Sequence, residues 1–510
     1  MIAAAPMTGN ARLTHALPPV SGLIAEPPST WHALAERLRK LGLQAEEVAP
    51  IARAAADMPE PLRAPVWSSL LAGRDDPLGV AMRLLMFGLC VTEDEAEAAL
   101  GSKLVSRLGR AGLLTAQAEH ELRSLFWLSV ANDKYVICDD LSRGGAAVMG
   151  AGQTTAELCR AAHPVNRVAS VLDLGCGAGT VALLFASHAE NSVGTDVNPR
   201  AVALSRVNAE LNRVANARFE QGDLFAPVRE ASFDLIVSQP PFVPRVEGTR
   251  PAIYLYGGAR GDELPLRVLH EVPAHLAPGG RAVFLIEWPV VDSTPLEQRV
   301  REAVADPSVS ILVVRLPPYS DLDVYCIRYA SFFHPRLGAA YGRAVARTRR
   351  HLEKLNVQKF QPSLVVLQAS GRGHAWVSTV DVTNSEALTS HLLQAMVGAR
   401  DLLARDEPAL LAATLRMPDD LVVQREHGVR ASETCELRLR RAGRAYPAMD
   451  VSPGMLDLML QVDASPSVDA ACRTLREGAS GSTVEGALQG VREALLRGLL
   501  EPVWAPPDRT

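Results

Sequence analysis

Between Val168 and about Val382, short apolar runs alternate with amphipathic segments, a pattern that predicts strands separated by helices. The runs predict seven strands, at residues 170–174, 192–196, 217–221, 233–238, 281–287, 310–315 and 363–368. Because strands that alternate with helices are joined by crossover connections, we expect a parallel, doubly wound α/β sheet. Ligands bind such sheets at the carboxyl ends of the strands, so motifs at those ends are the first candidates for function.

Helical patterns with short strand-like stretches flank this region on both sides. Before it, Thr92 with Glu95 three residues later predicts a capped helix, and after it Ser452 with Pro453 predicts a helix start. We therefore expect a flexible tail over 1–28, a helical, winged-helix-like domain over 29–145, the sheet domain over 146–395 and a winged-helix-like domain over 396–510. The N-terminal domain would suit substrate recognition and a packing lid equally well.

The composition is that of an ordinary folded protein. The 510 residues are 48% hydrophobic and 21% charged, and this length predicts about three domains. The net charge of −5 argues against an indiscriminate polyanion binder. The apolar runs are too short for a membrane span, and the first residues lack the pattern of a secretory signal. We expect a soluble, cytoplasmic protein.

The seven cysteines are dispersed along the chain without a Cys-x-x-Cys pair. This distribution argues against a disulfide framework and against a zinc site. We therefore expect reduced thiols and no metal.

A glycine-rich turn, Gly175-Cys176-Gly177-Ala178-Gly179, follows the first predicted strand. Alternate glycines let the backbone turn sharply and let a ligand approach it. The third glycine of the dinucleotide fingerprint is replaced by Thr180. Asp173, just before the turn, would repel a pyrophosphate but suits a ligand with an ammonium group and a sulfonium. S-adenosylmethionine is such a ligand.

Two further acids stand at the ends of the next two strands. Asp196 is placed to accept both ribose hydroxyls, although it would also serve as a helix cap. Asp223 could accept the adenine amino group while Leu224 covers the ring. Singly each acid would pass for a cap or a surface charge, but three acids in register with the glycine turn predict a cofactor site.

The fourth predicted strand closes with Ser238-Gln239-Pro240-Pro241-Phe242. Two consecutive prolines fix the backbone and remove two N–H donors, which leaves carbonyl groups directed into the cleft. A polar side chain beside these carbonyls can hold an amino or amide group. Phe242 offers a face on which a planar group could stack.

With these motifs the sequence resembles the class I methyltransferases that carry an Asn-Pro-Pro-Tyr/Phe signature. Their members include release-factor glutamine N5-, ribosomal-RNA guanine N2- and adenine N6-methyltransferases. The resemblance is specific over about residues 170–290, and the whole chain is similar to large bacterial methyltransferases with added terminal domains. It implies a Rossmann-like seven-stranded sheet with S-adenosylmethionine as cofactor. The predicted cofactor contacts are Asp173, Gly175, Cys176, Gly177, Gly179, Asp196, Val197, Asp223, Leu224 and Ser238.

The resemblance also implies how the signature works. In the family, the Asn side chain and the following Pro carbonyl accept hydrogen bonds from the substrate nitrogen and align its lone pair with the methyl group. Carried over, Gln239 takes the Asn position, Pro240 supplies the carbonyl and Phe242 the stacking face. Gln is one methylene longer than Asn, which leaves open whether nitrogen is the methyl acceptor.

Further candidates lie around the signature. Acceptor contacts are predicted for Pro241, Tyr254, Tyr256 and Trp288. Glu287 would act as a proton acceptor or an amine anchor, whereas Trp288 suits the hydrophobic core equally well. Residues 153–155 would either cover the methionine end of the cofactor or cap a helix.

Between Arg336 and Lys359 the chain carries seven Lys or Arg and a single acid, Glu353. On a helix this run would allow contact with RNA phosphates. A solvated face is the favoured interpretation, because no aromatic residues interleave after Tyr341.

The sequence thus predicts an S-adenosylmethionine-dependent methyltransferase that N-methylates a protein or an RNA, with the terminal domains selecting the target. The alternative is a tailoring N- or O-methyltransferase of a small molecule or peptide natural product, favoured by Gln in place of Asn and by the acidic net charge. A binding protein on a retired methyltransferase scaffold is disfavoured, because the acids and glycines of the cofactor site are intact. The oligomeric state stays open.

Overall fold

The computed structural model describes residues 16–54, 60–249, 252–291, 294–334, 338–370, 374–427, 435–443, 445–477 and 484–503. These stretches form a central α/β sheet between two smaller units of helices and short antiparallel strands. Within them, none of the helices combines the length and the apolar character that crossing a bilayer requires.

The N-terminal unit packs helices around short strands. Its helices are α1 (Ser21–Ala25), α2 (Pro28–Lys40), α3 (Ala45–Ala54), α4 (Glu60–Leu71), α5 (Pro77–Ala81), α6 (Glu93–Leu100) and α7 (Ser102–Arg110). Its strands are β1 (Val91–Thr92), β2 (Leu114–Ala118), β3 (Glu121–Ser124), β4 (Trp127–Ala131) and β5 (Lys134–Cys138). The order β1-β3-β2 makes one antiparallel sheet, and β4 pairs with β5.

In this unit the predicted helix cap of α6 is present, but the predicted flexible tail contains a helix. Thr92 and Glu95 form the predicted capping box at the start of α6. Helix α1 falls inside the segment predicted as a flexible tail. It is ordered because Leu23 is fully buried in the hydrophobic core of this unit. The folded part therefore begins before residue 29, and residues 1–15 lie outside the described stretches.

The central domain is built on one large sheet. Its strands are β6 (Val168–Leu174), β7 (Ala189–Asp196), β8 (Ala217–Gln221), β9 (Phe233–Ser238), β12 (Leu276–Val291), β13 (Val309–Arg315), β14 (Ser320–Asp321), β15 (Val357–Ala369) and β16 (Val377–Asp381), and a separate pair is formed by β10 (Val243–Pro244) and β11 (Tyr256–Gly258). The order is β16-β13-β15-β12-β9-β6-β7-β8, with β14 paired to β15. All seven predicted strands lie in this sheet.

One strand departs from the predicted parallel arrangement. Strand β15 is antiparallel to both of its neighbours, β12 and β13. The start of β15, Val357, pairs with Val291 at the carboxyl end of β12. The chain therefore re-enters the sheet at the same end at which β13 finishes. A parallel strand would need a crossover back to the opposite end, and without one β15 runs antiparallel.

Helices cover both faces of the sheet. They are α8 (Gln153–Ala162), α9 (Thr180–Phe185), α10 (Pro199–Asn212), α11 (Glu263–Glu271), α12 (Leu296–Val304), α13 (Leu322–Phe333), α14 (Ala339–Lys354) and α15 (Ser390–Leu403). Neighbouring strand residues enter different cores: Val171 and Val283 belong to one buried cluster, Leu172 and Phe284 to the other. Burial on both faces explains why the strands read as continuous apolar runs.

The C-terminal unit again combines helices with short strands. It consists of α16 (Glu407–Ala412), β17 (Leu415–Arg416), β18 (Leu421–His427), β19 (Cys435–Arg441), β20 (Met449–Val451), α17 (Pro453–Asp463), α18 (Val468–Glu477), α19 (Val484–Leu496) and β21 (Glu501–Pro502). Ser452 caps α17 by accepting a hydrogen bond from the Met455 amide, as its sequence context predicts. Leu488, Val491 and Leu495 are buried along one face of α19.

Two asparagines of α10 join the N-terminal unit to the sheet domain. The Asn208 side chain accepts from Ile137 N at 2.8 Å and donates to Ile137 O at 2.9 Å. Asn212 makes the corresponding pair of bonds with Tyr135 N and O, at 2.9 and 2.6 Å. Both amides are buried, so they satisfy the edge of β5 as a neighbouring strand would.

We expect Asn208→Ala to destabilise the protein. The substitution leaves the Ile137 amide and carbonyl, as well as the Ala178 carbonyl, without their present partner. Since an unsatisfied buried polar group costs about 1–3 kcal/mol, the free energy of unfolding should fall by at least about 2 kcal/mol in a urea titration. The control Glu210→Ala, at an exposed site of the same helix, should change it by less than about 0.5 kcal/mol. Equal stabilities of the two variants would contradict this role of Asn208.

Candidate functional site

A cavity of about 340 Å³ opens at the carboxyl ends of β6, β7 and β9. Its wall combines the glycine turn, the ends of two neighbouring strands, the signature after β9 and a loop around Tyr254. Strand order explains this meeting: β6 lies between β7 and β9, so residues far apart in sequence end at one edge. This is the position at which doubly wound sheets bind ligands.

The glycines of the turn have different tasks. Gly175 and Gly177 line the cavity and have φ of 74° and 53°, a region that glycine adopts without strain. Gly179 lies outside the cavity wall. A Cβ on Gly179 would come within 3.0 Å of Phe219 and Ser205, so this glycine lets the turn pack closely against β8 and α10.

Asp173 is a buried carboxylate at the cavity wall. Its Oδ2 accepts a hydrogen bond from the Ala182 amide at 3.0 Å. Burial, reinforced by the nearby charge of Asp196, raises the pKa of Asp173 from 3.8 to about 7. Within the described stretches no Lys or Arg forms an ion pair with it. A cationic ligand would therefore find here a carboxylate whose charge is not already compensated.

Asp196 connects the end of β7 to the glycine turn. One carboxylate oxygen accepts from Gly177 N at 2.9 Å, and the other from Asn198 N at 2.8 Å. Burial raises the pKa of Asp196 above its usual value. Each oxygen retains a second lone pair for a ligand hydroxyl. Val197 follows with half of its side chain exposed and also lines the cavity.

Asp223 lies at the exposed rim. Its Oδ2 accepts from Arg267 Nη2 at 2.7 Å, so the predicted adenine acceptor shares its charge with a surface cation. Leu224 lines the cavity beside it with a positive φ of 47°.

Gln239, Pro240, Pro241 and Phe242 all line the cavity. The Gln239 amide nitrogen donates to Thr154 Oγ1 at 2.8 Å. With the nitrogen engaged in this way, the amide oxygen of Gln239 remains available for a substrate donor. Thr154 lies in the first turn of α8, which the chain brings over the end of β9.

The remaining predicted site residues are divided between the wall and the interior. Tyr254 and Cys176 line the cavity. Ser238 does not, because its hydroxyl is turned to Leu174 O at 2.6 Å and ties β9 to β6. Tyr256 packs instead in a hydrophobic cluster formed with α13 and α14.

Glu287 and Trp288 also lie outside the cavity wall. Glu287 Oε1 accepts from Arg328 Nη2 of α13 at 2.6 Å. Trp288 is fully buried in the core beneath the sheet, which matches the second of its two interpretations. The structure therefore does not bring these two residues together with the signature.

Sequence reasoning missed several residues of the wall. Ala147 and Val148 line the cavity from the segment that precedes α8, as do Ile253 and Leu255 on either side of Tyr254. Neither segment has periodicity or a motif. The only available signal was the position of the first segment just before the glycine turn.

Residues 155–290 match the family model of the methyltransferase small domain. This part of the chain is a class I methyltransferase domain. The family resemblance carried by the glycine turn and residues 238–242 is confirmed, and so is the Rossmann-like sheet. The match covers the cavity-lining acids and the signature, but not Thr154 or helix α14.

The curated relatives described below cover about a quarter of this chain. The release factor glutamine methyltransferase of Geobacter sulfurreducens is 36% identical over 134 residues, 24% of this chain and 45% of that protein. Ribosomal RNA small subunit methyltransferase C of Alcanivorax borkumensis is 31% identical over 118 residues, 23% of this chain and 32% of that protein. The crystal structure of the ribosomal protein L11 methylase from Lactobacillus delbrueckii subsp. bulgaricus aligns with 17% identity and a TM-score of 0.23, over 41% of this chain and 75% of that one. The chain spans less than half the length of both curated relatives.

S-adenosylmethionine is the cofactor of such domains, and the donor set of the cavity fits it. Asp173 would face the cationic methionine end, and Asp196 would accept the ribose hydroxyls. Both carboxylates line the same cavity. These two assignments stay predictions.

We expect cofactor binding to strengthen as the pH rises from 6 to 7.5. The pKa of Asp173 is raised to about 7 in the free protein, so much of this carboxyl is protonated at pH 6, and a cationic ligand prefers the ionised form. Below pH 7 the affinity should fall by up to about tenfold per pH unit, measured by calorimetry. The effect on folding has the opposite sign. As the pH rises from about 4 to 7, ionisation of this carboxyl lowers the free energy of unfolding of the cofactor-free protein.

The control for this pH dependence is Asp173→Asn, which removes the titrating group. This variant should bind the cofactor weakly, with little change between pH 6 and 7.5. An affinity of the unmodified protein that is constant over this range would contradict the proposed charge interaction.

Proposed function

We propose that the protein is an S-adenosylmethionine-dependent methyltransferase that N-methylates a macromolecular target, a protein or an RNA. The observation that carries the proposal is the position of Gln239 and Pro240 in the same cavity wall as Asp173 and Asp196. The match of residues 155–290 to a methyltransferase family supports it. So do the relatives, which are named for a release factor and a ribosomal RNA.

In this proposal each wall residue has one task. Asp173 and Asp196 hold the cofactor, which when bound supplies a methyl group activated by a positive sulfonium. Gln239 Oε1 and the Pro240 carbonyl accept hydrogen bonds from the substrate N–H groups. Phe242 offers its ring to a planar acceptor. The acceleration then comes mainly from alignment of the acceptor lone pair, because no further activation of the leaving group is required.

The size of the cavity favours a macromolecular acceptor over a small one. A volume of about 340 Å³ is near the lower end of the range for small-molecule sites, about 300–1,000 Å³. A nucleoside-containing cofactor would take up most of this space, so the acceptor reaches Gln239 from the mouth. A side chain or a base on a longer chain can enter in this way. The tailoring alternative would require a second, enclosed acceptor pocket.

The terminal units are the proposed sites of target selection. In the N-terminal unit α6 and α7 follow β1 along the chain and precede the β2–β3 hairpin. In the sheet that these strands form, β3 is the central strand. Helices followed by a hairpin that pairs with an earlier strand are the arrangement of a winged helix. We propose this fold for the N-terminal unit, with binding of the target as its role.

Labelling of a cell extract tests the macromolecular target. Incubation with cofactor that carries a labelled methyl group should place label in a fraction that protease or ribonuclease degrades. The Asp196→Ala variant should transfer much less label, because it loses both the carboxylate that accepts the Gly177 N–H and the predicted acceptor of the ribose hydroxyls. Label confined to small solutes would contradict a macromolecular target and favour the tailoring alternative.

The role of Gln239 is tested at its partner Thr154. Thr154→Val keeps the shape of the side chain but removes the acceptor of the Gln239 amide. Loss of one such hydrogen bond, about 0.5–1.5 kcal/mol, should lower kcat about three- to tenfold and leave the cofactor Kd unchanged. Gln153→Ala is the matched control, since Gln153 bonds only its exposed helix neighbour Glu157 among described residues. An unchanged kcat in Thr154→Val would contradict the positioning of Gln239 by Thr154.

A further inference from the structure

Helix α14 carries four cations along one face. Arg343, Arg347, Arg350 and Lys354 follow one another at intervals of four, three and four residues, which places them in one row on a helix. We call these four residues the basic stripe. Arg343, Arg350 and Lys354 are exposed, and Arg347 is half-buried.

The charge of the basic stripe is not compensated within the described stretches. These stretches place no carboxylate at ion-pair distance from its four side chains, and Nε of Arg347 is buried without a hydrogen-bond partner there. The neighbouring Arg349 differs, since it pairs with Asp323 and with Glu353, both at 2.9 Å. Because the whole chain has a net charge of −5, this concentration of cations is a local feature.

Helix α14, which carries the basic stripe, packs through Leu352 in the same cluster as Val243, a residue of the cavity wall. Arg347 lies against Gly248, and a ring nitrogen of His351 is 2.7 Å from Ala259 O. These contacts fix α14 to both ends of the loop whose middle residue, Tyr254, lines the cavity. The opposite face of α14 is buried, since Leu352 packs against the first residues of β15. The helix is thus held with Arg343, Arg350 and Lys354 exposed and Arg347 packed against the loop.

We propose that the basic stripe binds the phosphate backbone of an RNA substrate whose target base enters the cavity. This inference rests on the proposed function and names the substrate class. From Arg343 to Lys354 the helix rises about 16 Å, a length over which a nucleic acid presents several phosphates. Arginine binds phosphate oxygens through two parallel hydrogen bonds.

The surroundings of the entrance favour RNA over an acidic protein. Ile253, half exposed, and Phe242 offer apolar faces at the cavity wall. A single-stranded RNA supplies this combination in every nucleotide, as a charged phosphate and a planar base that stacks. An acidic protein segment would need apolar residues at matching spacing to do the same, which makes polyglutamate the competing probe in the test.

The test measures binding of a fluorescently labelled single-stranded RNA of mixed sequence to the full chain. In the triple variant Arg343→Gln/Arg350→Gln/Lys354→Gln we expect at least about tenfold weaker binding. The slope of log K against log salt should become shallower by about 2, since each lost phosphate contact contributes about 0.7. All three side chains are exposed, so the variant should fold, and Arg347 is left in place because it is half-buried.

The matched control compares neighbouring residues with the same change of charge. Arg350→Gln should weaken RNA binding, whereas Arg349→Gln, on the face that pairs with acids, should not. Equal effects of the two single variants, an unaltered affinity of the triple variant, or preferential binding of polyglutamate would overturn the proposal.

Calorimetry with S-adenosylmethionine separates this inference from the proposed function. Wild-type protein and triple variant should bind the cofactor equally, because the basic stripe lies outside the cavity wall. Cofactor binding together with unaltered RNA binding in the triple variant would reject the RNA site alone. A wild-type protein that binds no cofactor would reject the proposed function, and the RNA inference that rests on it.

Discussion

Asp173, a buried carboxylate with no cationic partner among the described residues, is the constraint on which the rest of the site depends. Keeping it ionised above pH 7 costs the free protein on the order of 4 kcal/mol, given a pKa raised from 3.8 to about 7. The hydrophobic clusters packed on both faces of the sheet stabilise the domain and offset this unfavourable free energy. The end of β6 therefore holds, within a well-packed domain, a charge that a cationic ligand would compensate.

The glycine turn beside Asp173 is fixed by helix α10, which also carries the N-terminal unit. Ser205 donates to Gly177 O at 2.9 Å, and Asn208 donates to Ala178 O at 2.9 Å, so one side of α10 holds the turn. The same Asn208 amide bonds both backbone groups of Ile137 in β5. Docking of the N-terminal unit and the shape of the cofactor turn thus share a side chain. The unit proposed to select the target is mechanically joined to the wall of the site.

The seven sheet strands and the cofactor wall could be predicted because each depends on local pattern. Burial on both faces makes a strand continuously apolar, and a turn with positive φ favours glycine. The positions of Glu287 and Trp288 could not be predicted in this way. Strand β12 runs past the end of β9 and pairs with β15 as far as Val291, which carries Glu287 towards Arg328 of α13. This extension is a long-range pairing, and no local periodicity records it.

The substitution of Gln for the family Asn has a structural counterpart outside the family match. The longer side chain of Gln239 reaches Thr154, which precedes the matched residues 155–290. The position of the amide oxygen is therefore set by the start of α8 as much as by the signature, and the added methylene alone does not argue against nitrogen as acceptor. Helix α14 also lies beyond the match. In the proposed function the matched residues 155–290 thus supply the cofactor wall and the signature, and the contacts of Thr154 and α14 are added from outside the match.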